Sequence, residues 1–343
     1  MQKLEMAVLG LRPLDSVPLE ERSRPQRGTP VAAPIRATTV REWFPATAKY
    51  HAVILLCLCF LPSLVYAQAP ELPGWKLVWS DEFNYTGHPD PAKWGYEEGY
   101  VRHNELQYYT VNRLENARVD GQHLLIELRK DTPESFLPTS INDEYHRYTA
   151  ASVNTRNTAS WTYGRFEIMA KMPEGKGTWP AIWFLSPLRT PSVPGPPQPR
   201  GPDGREAQGT RGPYTGESSQ GEIDLMEAWG SRPNRTAVHI HGTKGRTPSR
   251  TLPVEDMYNQ FHLYAMEWYP DHMDFFMDRE KILTYNKDPE LGWSFDRPMY
   301  LIMNIACGGP DEPAPDDSKI PQFMTVDYVR IYQKIPIKGA GPK

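Results

Sequence analysis

The chain has 343 residues, 38 Lys and Arg against 42 Asp and Glu, and a formal net charge of −4. It carries no basic block, so nucleic acid is not an expected partner. Its length suits one large domain plus an N-terminal extension, and three cysteines are too few for a disulfide framework.

Residues 1–51 are rich in Pro and Arg and show no periodic apolar pattern. They read as a disordered extension, or as sequence upstream of the true start. Residues 52–67 form an apolar run of 16, interrupted by Pro62 and ending in Val65-Tyr-Ala67, a small-x-small-like cleavage site. The run falls short of the roughly 20 residues that span a bilayer and reads as a signal-peptide h-region. A start at Val40 would supply a normal n-region; N-terminal sequencing of the uncleaved precursor tests this, and a start at Met1 refutes it. The mature chain is then residues 68–343, secreted or periplasmic, monomeric, and without stable membrane association once the signal is cleaved. An uncleaved signal anchor is the alternative. Cys57 and Cys59 leave with the signal, so the mature chain keeps only Cys307. Cys307 follows the apolar run Leu301 to Ala306 and is expected to be a buried small hydrophobe, not a nucleophile.

The mature chain reads as strands and turns with no sustained helical period. Arg165-Phe-Glu-Ile-Met-Ala-Lys171 and Asp327-Tyr-Val-Arg-Ile-Tyr332 alternate as half-buried antiparallel strands should. Phe261 to Trp268, Asp271-His-Met-Asp274 and Phe275 to Tyr285 read as strands joined by tight turns. Many short strands at regular spacing predict an all-β sandwich. Residues 187–216 hold eight prolines and many glycines, so they cannot be a central strand and read as a loop insertion.

Residues 221–230, Gly-Glu-Ile-Asp-Leu-Met-Glu-Ala-Trp-Gly, place Glu222, Asp224 and Glu227 in an otherwise apolar run. Strand alternation puts Glu222 and Asp224 on one face and Glu227 on the other. One extra residue, a β-bulge around Leu225-Met226, restores the parity and gathers all three acids on one surface. Residue types alone leave two readings open. A retaining glycosidase needs two carboxyl groups roughly 5 to 5.5 Å apart, whereas Glu-x-Asp-x-x-Glu also offers hard oxygen ligands to calcium.

The motif resembles the signature of glycoside hydrolase family 16, in the bulged form typical of laminarinases, agarases and carrageenases. Further blocks in family order carry the resemblance across residues 75 to 333. They are Trp75-Lys-Leu-Val-Trp79-Ser-Asp-Glu82-Phe, Asn104-Glu-Leu-Gln-Tyr-Tyr-Thr110, Tyr163-Gly-Arg165-Phe-Glu167, Gly177-Thr-Trp179-Pro-Ala-Ile-Trp183, Leu301 to Gly309 and Thr325 to Tyr332. The resemblance implies a β-jelly-roll sandwich of two antiparallel sheets with a concave substrate cleft. It implies Glu222 as nucleophile, Glu227 as general acid/base and Asp224 as the electrostatic helper between them. Glu227 would then have to start protonated near neutral pH.

Pyranose rings stack on aromatic planes while their hydroxyls seek hydrogen bonds. The resemblance and this chemistry nominate Trp179, Trp183, Trp229, Asn104, Gln107 and His241 as sugar-binding residues. Core packing is the competing reading for the tryptophans, a turn role for Asn104 and an ordinary strand histidine for His241. His239-x-His241 alone is a weak metal signal. No cofactor is required, but the resemblance implies a structural calcium ion held by Glu82, Asp327 and a carbonyl near Gly121. The sequence places Arg102 near the cleft loop and offers few other cations there, which favours a neutral glucan over a polyanionic galactan. The expected activity is that of a retaining endo-β-1,3-glucanase on polysaccharide, with mixed β-1,3-1,4 chains as a further substrate. An agarase- or carrageenase-type galactanase, a wall-remodelling transglycosylase and a non-catalytic β-glucan-binding protein are the alternatives.

Overall fold

The computed structural model describes residues 71–131, 148–187 and 221–336, apart from 243, 245–247 and 291. The extension, the signal segment and nearly all of the 187–216 insertion lie outside the described residues. Within them the chain is strand and turn, as the sequence predicts, with one short 3-10 turn at Asp317–Lys319. In chain order the strands are β1 (Trp75–Asp81), β2 (Thr86–Gly87), β3 (Gly95–Tyr96), β4 (Gln107–Tyr109), β5 (Ala117–Asp120), β6 (Leu124–Lys130), β7 (Tyr148–Ala150), β8 (Ser152–Asn154) and β9 (Gly164–Lys171). They continue as β10 (Thr178–Leu185), β11 (Glu222–Ala228), β12 (Arg235–His241), β13 (Ser249–Pro253), β14 (His262–Trp268), β15 (His272–Met277), β16 (Glu280–Asn286), β17 (Tyr300–Cys307) and β18 (Gln322–Lys334).

They form two sheets. One runs β16-β15-β14-β9-β18-β6-β5-β2, with β1 on β18 and β4 and β7 joined at its side; the other runs β13-β12-β11-β10-β17-β8-β3. Pairing is antiparallel except between β4 and β7. This is the two-sheet jelly roll expected from the sequence.

The core lies between the sheets. Phe166 and Ile168 of β9, Val326, Val329 and Ile331 of β18, Ile182 and Phe184 of β10, and Ile223, Leu225 and Met226 of β11 are all buried in one cluster. Alternation along β10 and β17 turns the other residues, Ala181, Trp183, Leu185, Tyr300 and Ile302, to the opposite face, where they form a second buried cluster. Each sheet therefore spends one face on the core, and the seven-stranded sheet keeps the other for a cleft.

Phe275 to Tyr285, read as one strand, is broken by a tight turn at Asp278–Arg279, both at positive φ (49° and 74°), and His272 to Asp274 belong to the strand before it. Two such residues make the two-residue hairpin loop that matches strand twist. Asp278 accepts hydrogen bonds from the Leu263 amide at 2.9 Å and from His262 at 2.7 Å, which fixes the turn against β14. Cys307 is fully buried, and burial pushes its thiol well above the ordinary range.

Candidate active site

The bulge is present where the parity argument places it. Against β10, Trp183 pairs with Asp224, Ile182 with Met226 and Ala181 with Glu227. Against β12, Asp224 pairs with His239 and Glu227 with Ala237. Both neighbours advance two residues while β11 advances three, so Leu225 and Met226 together oppose one residue on each side. Both side chains go to the core, and Glu222, Asp224 and Glu227 share the cleft face.

The carboxylates are crowded and individually held. Ligating oxygens of Glu222 and Asp224 lie within 4.8 Å of each other and of His241; those of Asp224 and Glu227 do the same with His239. Asp224 is 3% exposed, and its Oδ2 lies 3.0 Å from His241 Nε2. Glu227 is hydrogen-bonded at one oxygen and closely approached at the other. Trp179 Nε1–H donates to Oε1 at 2.9 Å, and His239 Nδ1 lies 2.7 Å from Oε2. Both histidines reach diagonally. His241 sits opposite Glu222 in register but meets Asp224, and His239 sits opposite Asp224 but meets Glu227. Diagonal neighbours on a sheet face are within reach of long side chains.

The acids line a cleft of about 330 Å3, walled by Trp179, Trp229, His103, His239, His241, Arg232 and Asp311. A recess of about 40 Å3 continues past the acids between Trp183, Arg102, Glu105, Asn304 and Ala306. Trp179 and Trp229 pack at 6.1 Å between centroids, and Arg232 lies 5.1 Å over the Trp229 ring. Trp183 is only 4% exposed; its Nε1–H donates to Asn304 Oδ1 at 2.8 Å, and the Arg102 guanidinium lies 4.8 Å over its ring. Arg102 in turn is paired with Glu97 at 2.5 Å.

Of the sequence-predicted sugar-binding residues, Trp179, Trp229 and His241 line the cleft, while Trp183 is buried in the second cluster and borders only the recess. The other two do neither. Asn104 is exposed with φ 52° in a turn and lines neither the cleft nor the recess. An amide side chain there stabilises a left-handed backbone. Gln107 is 1% exposed, and its amide is committed. Nε2 donates to Glu105 Oε2 at 2.6 Å, and Oε1 accepts from the Cys307 amide at 2.7 Å. It ties the cleft loop to β17 and presents Glu105 to the recess. Sequence reasoning missed His103, Glu105, Asn304, Arg232 and Asp311, and left His239 as a weak metal signal. His239 was detectable, because it shares strand parity with His241. The others come from loops and from β17, and no spacing rule connects them to the acids.

On the other sheet, Glu82 accepts a two-pronged bond from Arg330, at 3.0 and 2.7 Å. Burial raises the Asp327 carboxyl, with the charge of Glu82 adding to it and His123 and Arg330 opposing. Gly121, at φ 102°, occupies the turn between β5 and β6. Glu82 and Asp327 feel each other's charge, while both Glu82 oxygens are already taken by the Arg330 guanidinium.

The family model for glycosyl hydrolases family 16 matches residues 210–330. A beta-glucanase of Rhodothermus marinus is 39% identical over 82% of this chain and 93% of its own length. The solved laminarinase from Rhodothermus marinus superposes with a TM-score of 0.61 at 38% identity, covering 76% of this chain and 98% of that one. A complex of SCLam, described as a non-specific endo-β-1,3(4)-glucanase of the same family, gives 0.63 at 32% identity over 77% and 97%. With a bulged acid triad on the cleft face of a two-sheet jelly roll, and relatives at this identity and coverage, the chain belongs to glycoside hydrolase family 16.

Proposed function

We propose that the chain is a retaining endo-β-1,3-glucanase that cleaves laminarin-type polysaccharide by double displacement. The observation that carries this reading is the set of three acids brought to one cleft face by the Leu225-Met226 bulge, with Glu227 held by the Trp179 N–H. Glu222 attacks the anomeric carbon as Glu227 gives a proton to the departing glycosidic oxygen, leaving a glycosyl-enzyme ester on Glu222. Glu227, now ionised, takes a proton from water, which attacks the same carbon and frees Glu222 with configuration retained. Asp224 lies beside both and is oriented by His241. Trp179 and Trp229 offer the apolar wall on which a glucose ring stacks.

A neutral glucan is the favoured substrate: of the two arginines at the site, Arg102 is matched by Glu97 in the recess and Arg232 lies over the Trp229 ring. Mixed β-1,3-1,4 chains belong to the same proposal, on the strength of the likeness to the β-1,3(4)-glucanase. Product analysis of residues 68–343 on laminarin, mixed-linkage β-glucan and agarose tests it. Short β-1,3 oligosaccharides from the wild type, absent with Glu222→Gln, support it. Cleavage of agarose alone would overturn the substrate, and products longer than the substrate would make the enzyme a transglycosylase.

Export and a monomeric state are also proposed. Export rests on residues 52–67 of the sequence. Among the described residues no helix is long and apolar enough to cross a membrane. A structural calcium ion at Glu82, Asp327 and the Gly121 carbonyl completes the proposal, with a role in stability only.

A further inference from the structure

Glu312 lies outside every motif named above, yet it is 3% exposed and carries a carboxylate. Its oxygens accept from the backbone of two other segments. Oε2 takes the Gly177 amide at 3.1 Å and the Ser231 amide at 3.2 Å, while Oε1 takes the Ser231 amide at 3.3 Å and the Ser231 hydroxyl. Among the described residues no Lys or Arg pairs with it, so the buried charge is met by N–H and O–H donors. An amide in its place would turn an NH2 group toward one of those donors.

The three segments joined here are the ones that end the cleft wall. Gly177 stands two residues before Trp179, Ser231 two residues after Trp229, and Asp311 of the cleft is Glu312's own neighbour. Their backbones are in direct contact. The Gly230 amide donates to the Thr178 carbonyl at 2.8 Å, and the Gly308 amide to the Gly177 carbonyl at 3.1 Å. A Cβ on Gly230 would stand 1.8 Å from the Gly175 oxygen, and one on Gly177 2.5 Å from Pro315 Cα. Side chains are excluded from this knot, and the Glu312 carboxylate is inserted into it.

Trp179 leaves the knot to donate its Nε1–H to Glu227. The geometry points to Glu312 as a positioning residue for the acid/base. By holding Gly177 and Ser231 at fixed separation it fixes the backbone from which Trp179 projects, and through the Trp179 N–H it sets the carboxyl plane of Glu227. This inference rests on the proposed glucanase reaction and extends it to a residue that never touches the sugar.

The experiment compares kcat/KM on a laminarin oligosaccharide and on a β-laminaribioside carrying a dinitrophenyl leaving group. A good leaving group departs without a proton, so only the first substrate needs the acid role of Glu227. Glu312→Gln is expected to lower kcat/KM on the oligosaccharide about tenfold, one hydrogen bond's worth of orientation, and to change the activated substrate less than about twofold. In a Trp179→Phe background the same substitution should add little, because the path to Glu227 is already cut. Ser231→Ala, which removes one hydroxyl donor, should give a smaller loss of the same selectivity, and it serves if Glu312→Gln does not fold. Equal losses on both substrates, no loss on either, or full additivity with Trp179→Phe would overturn the positioning role. An inactive wild type would instead overturn the glucanase reading.

Discussion

Deleting Leu225 probes the parity argument directly. The deletion turns Glu-Ile-Asp-Leu-Met-Glu into Glu-Ile-Asp-Met-Glu, in which the three acids alternate on one face without a bulge. Neither neighbour needs to slip. Ile182 and Val238 are each the lone residue between the partners of Asp224 and Glu227, so removing one residue from β11 leaves a regular ladder on both sides. The cost is in the core. Leu225 is 2% exposed, and losing a buried leucine costs about 2–5 kcal/mol depending on how far the site collapses. Met226 stays in the cluster and can spread into part of the space, so about 3 kcal/mol is expected. For a domain of this size that lowers Tm by roughly 6–12 °C. Activity should fall by about 10- to 100-fold, since losing the bulge changes the local twist and misplaces Glu227 by a fraction of an ångström or more. It should still exceed that of Glu227→Gln on an oligosaccharide substrate. Deleting Ile223 is the control, because it sends Asp224 and Glu227 to the side opposite Glu222 and should abolish turnover. Thermal unfolding by circular dichroism and reducing-sugar release from laminarin measure both quantities. A folded Leu225 deletion no more active than the Ile223 deletion would refute the view that the bulge is there to set parity.

Other outcomes follow from the same geometry. Glu222→Gln should lose roughly 10^4-fold in kcat on laminarin with Tm nearly unchanged, as removal of a covalent nucleophile does; retained turnover would reassign the nucleophile. Trp179→Phe keeps the ring but removes the N–H to Glu227 Oε1, and oligosaccharide kcat/KM should drop about tenfold; a change confined to KM would mean that the tryptophan serves stacking alone. The Asp327 carboxyl is raised by burial, so its ionised form opposes folding: without a bound cation, stability should decline as pH rises through the normal carboxylate range. Asp327→Asn should therefore raise Tm in chelator, and calcium should raise the Tm of the wild type but not of this variant. Identical melting of the wild type with calcium and with chelator would remove the proposed ion. Cys307, buried with its thiol pushed well up, should resist an aromatic disulfide reagent at pH 8 until denaturant is added; labelling of the native protein would contradict that burial.

What the amino-acid order determined by itself was mostly periodic or local. Alternation along 165–171 and 327–332 identified two sheet strands, and the five-residue spacing of Glu222 and Glu227 demanded a bulge that the β10 and β12 registers contain. The apolar surroundings of Cys307 implied its burial. These readings held because strand parity is a property of one chain segment and its two faces.

Tertiary structure decided which polar side chains reach the cleft. Asn104 and Gln107 follow directly on Arg102 and His103 in the chain, yet the left-handed turn at His103 and Asn104 sends Asn104 outward, and β17 claims the Gln107 amide. His103 and Arg102 face the cleft and recess instead, where Trp179 and Trp183 receive them. His239 and His241 acquired their partners through diagonal cross-strand contacts, and Asn304 entered the recess only because β17 lies beside β10. Glu312 gives the clearest case. It sits 135 residues from Gly177 and 81 from Ser231, and only a close approach of three backbones makes its carboxylate a fastener between them. Spacing along a strand predicts which face a residue takes; it carries no information about which distant loop that face will meet.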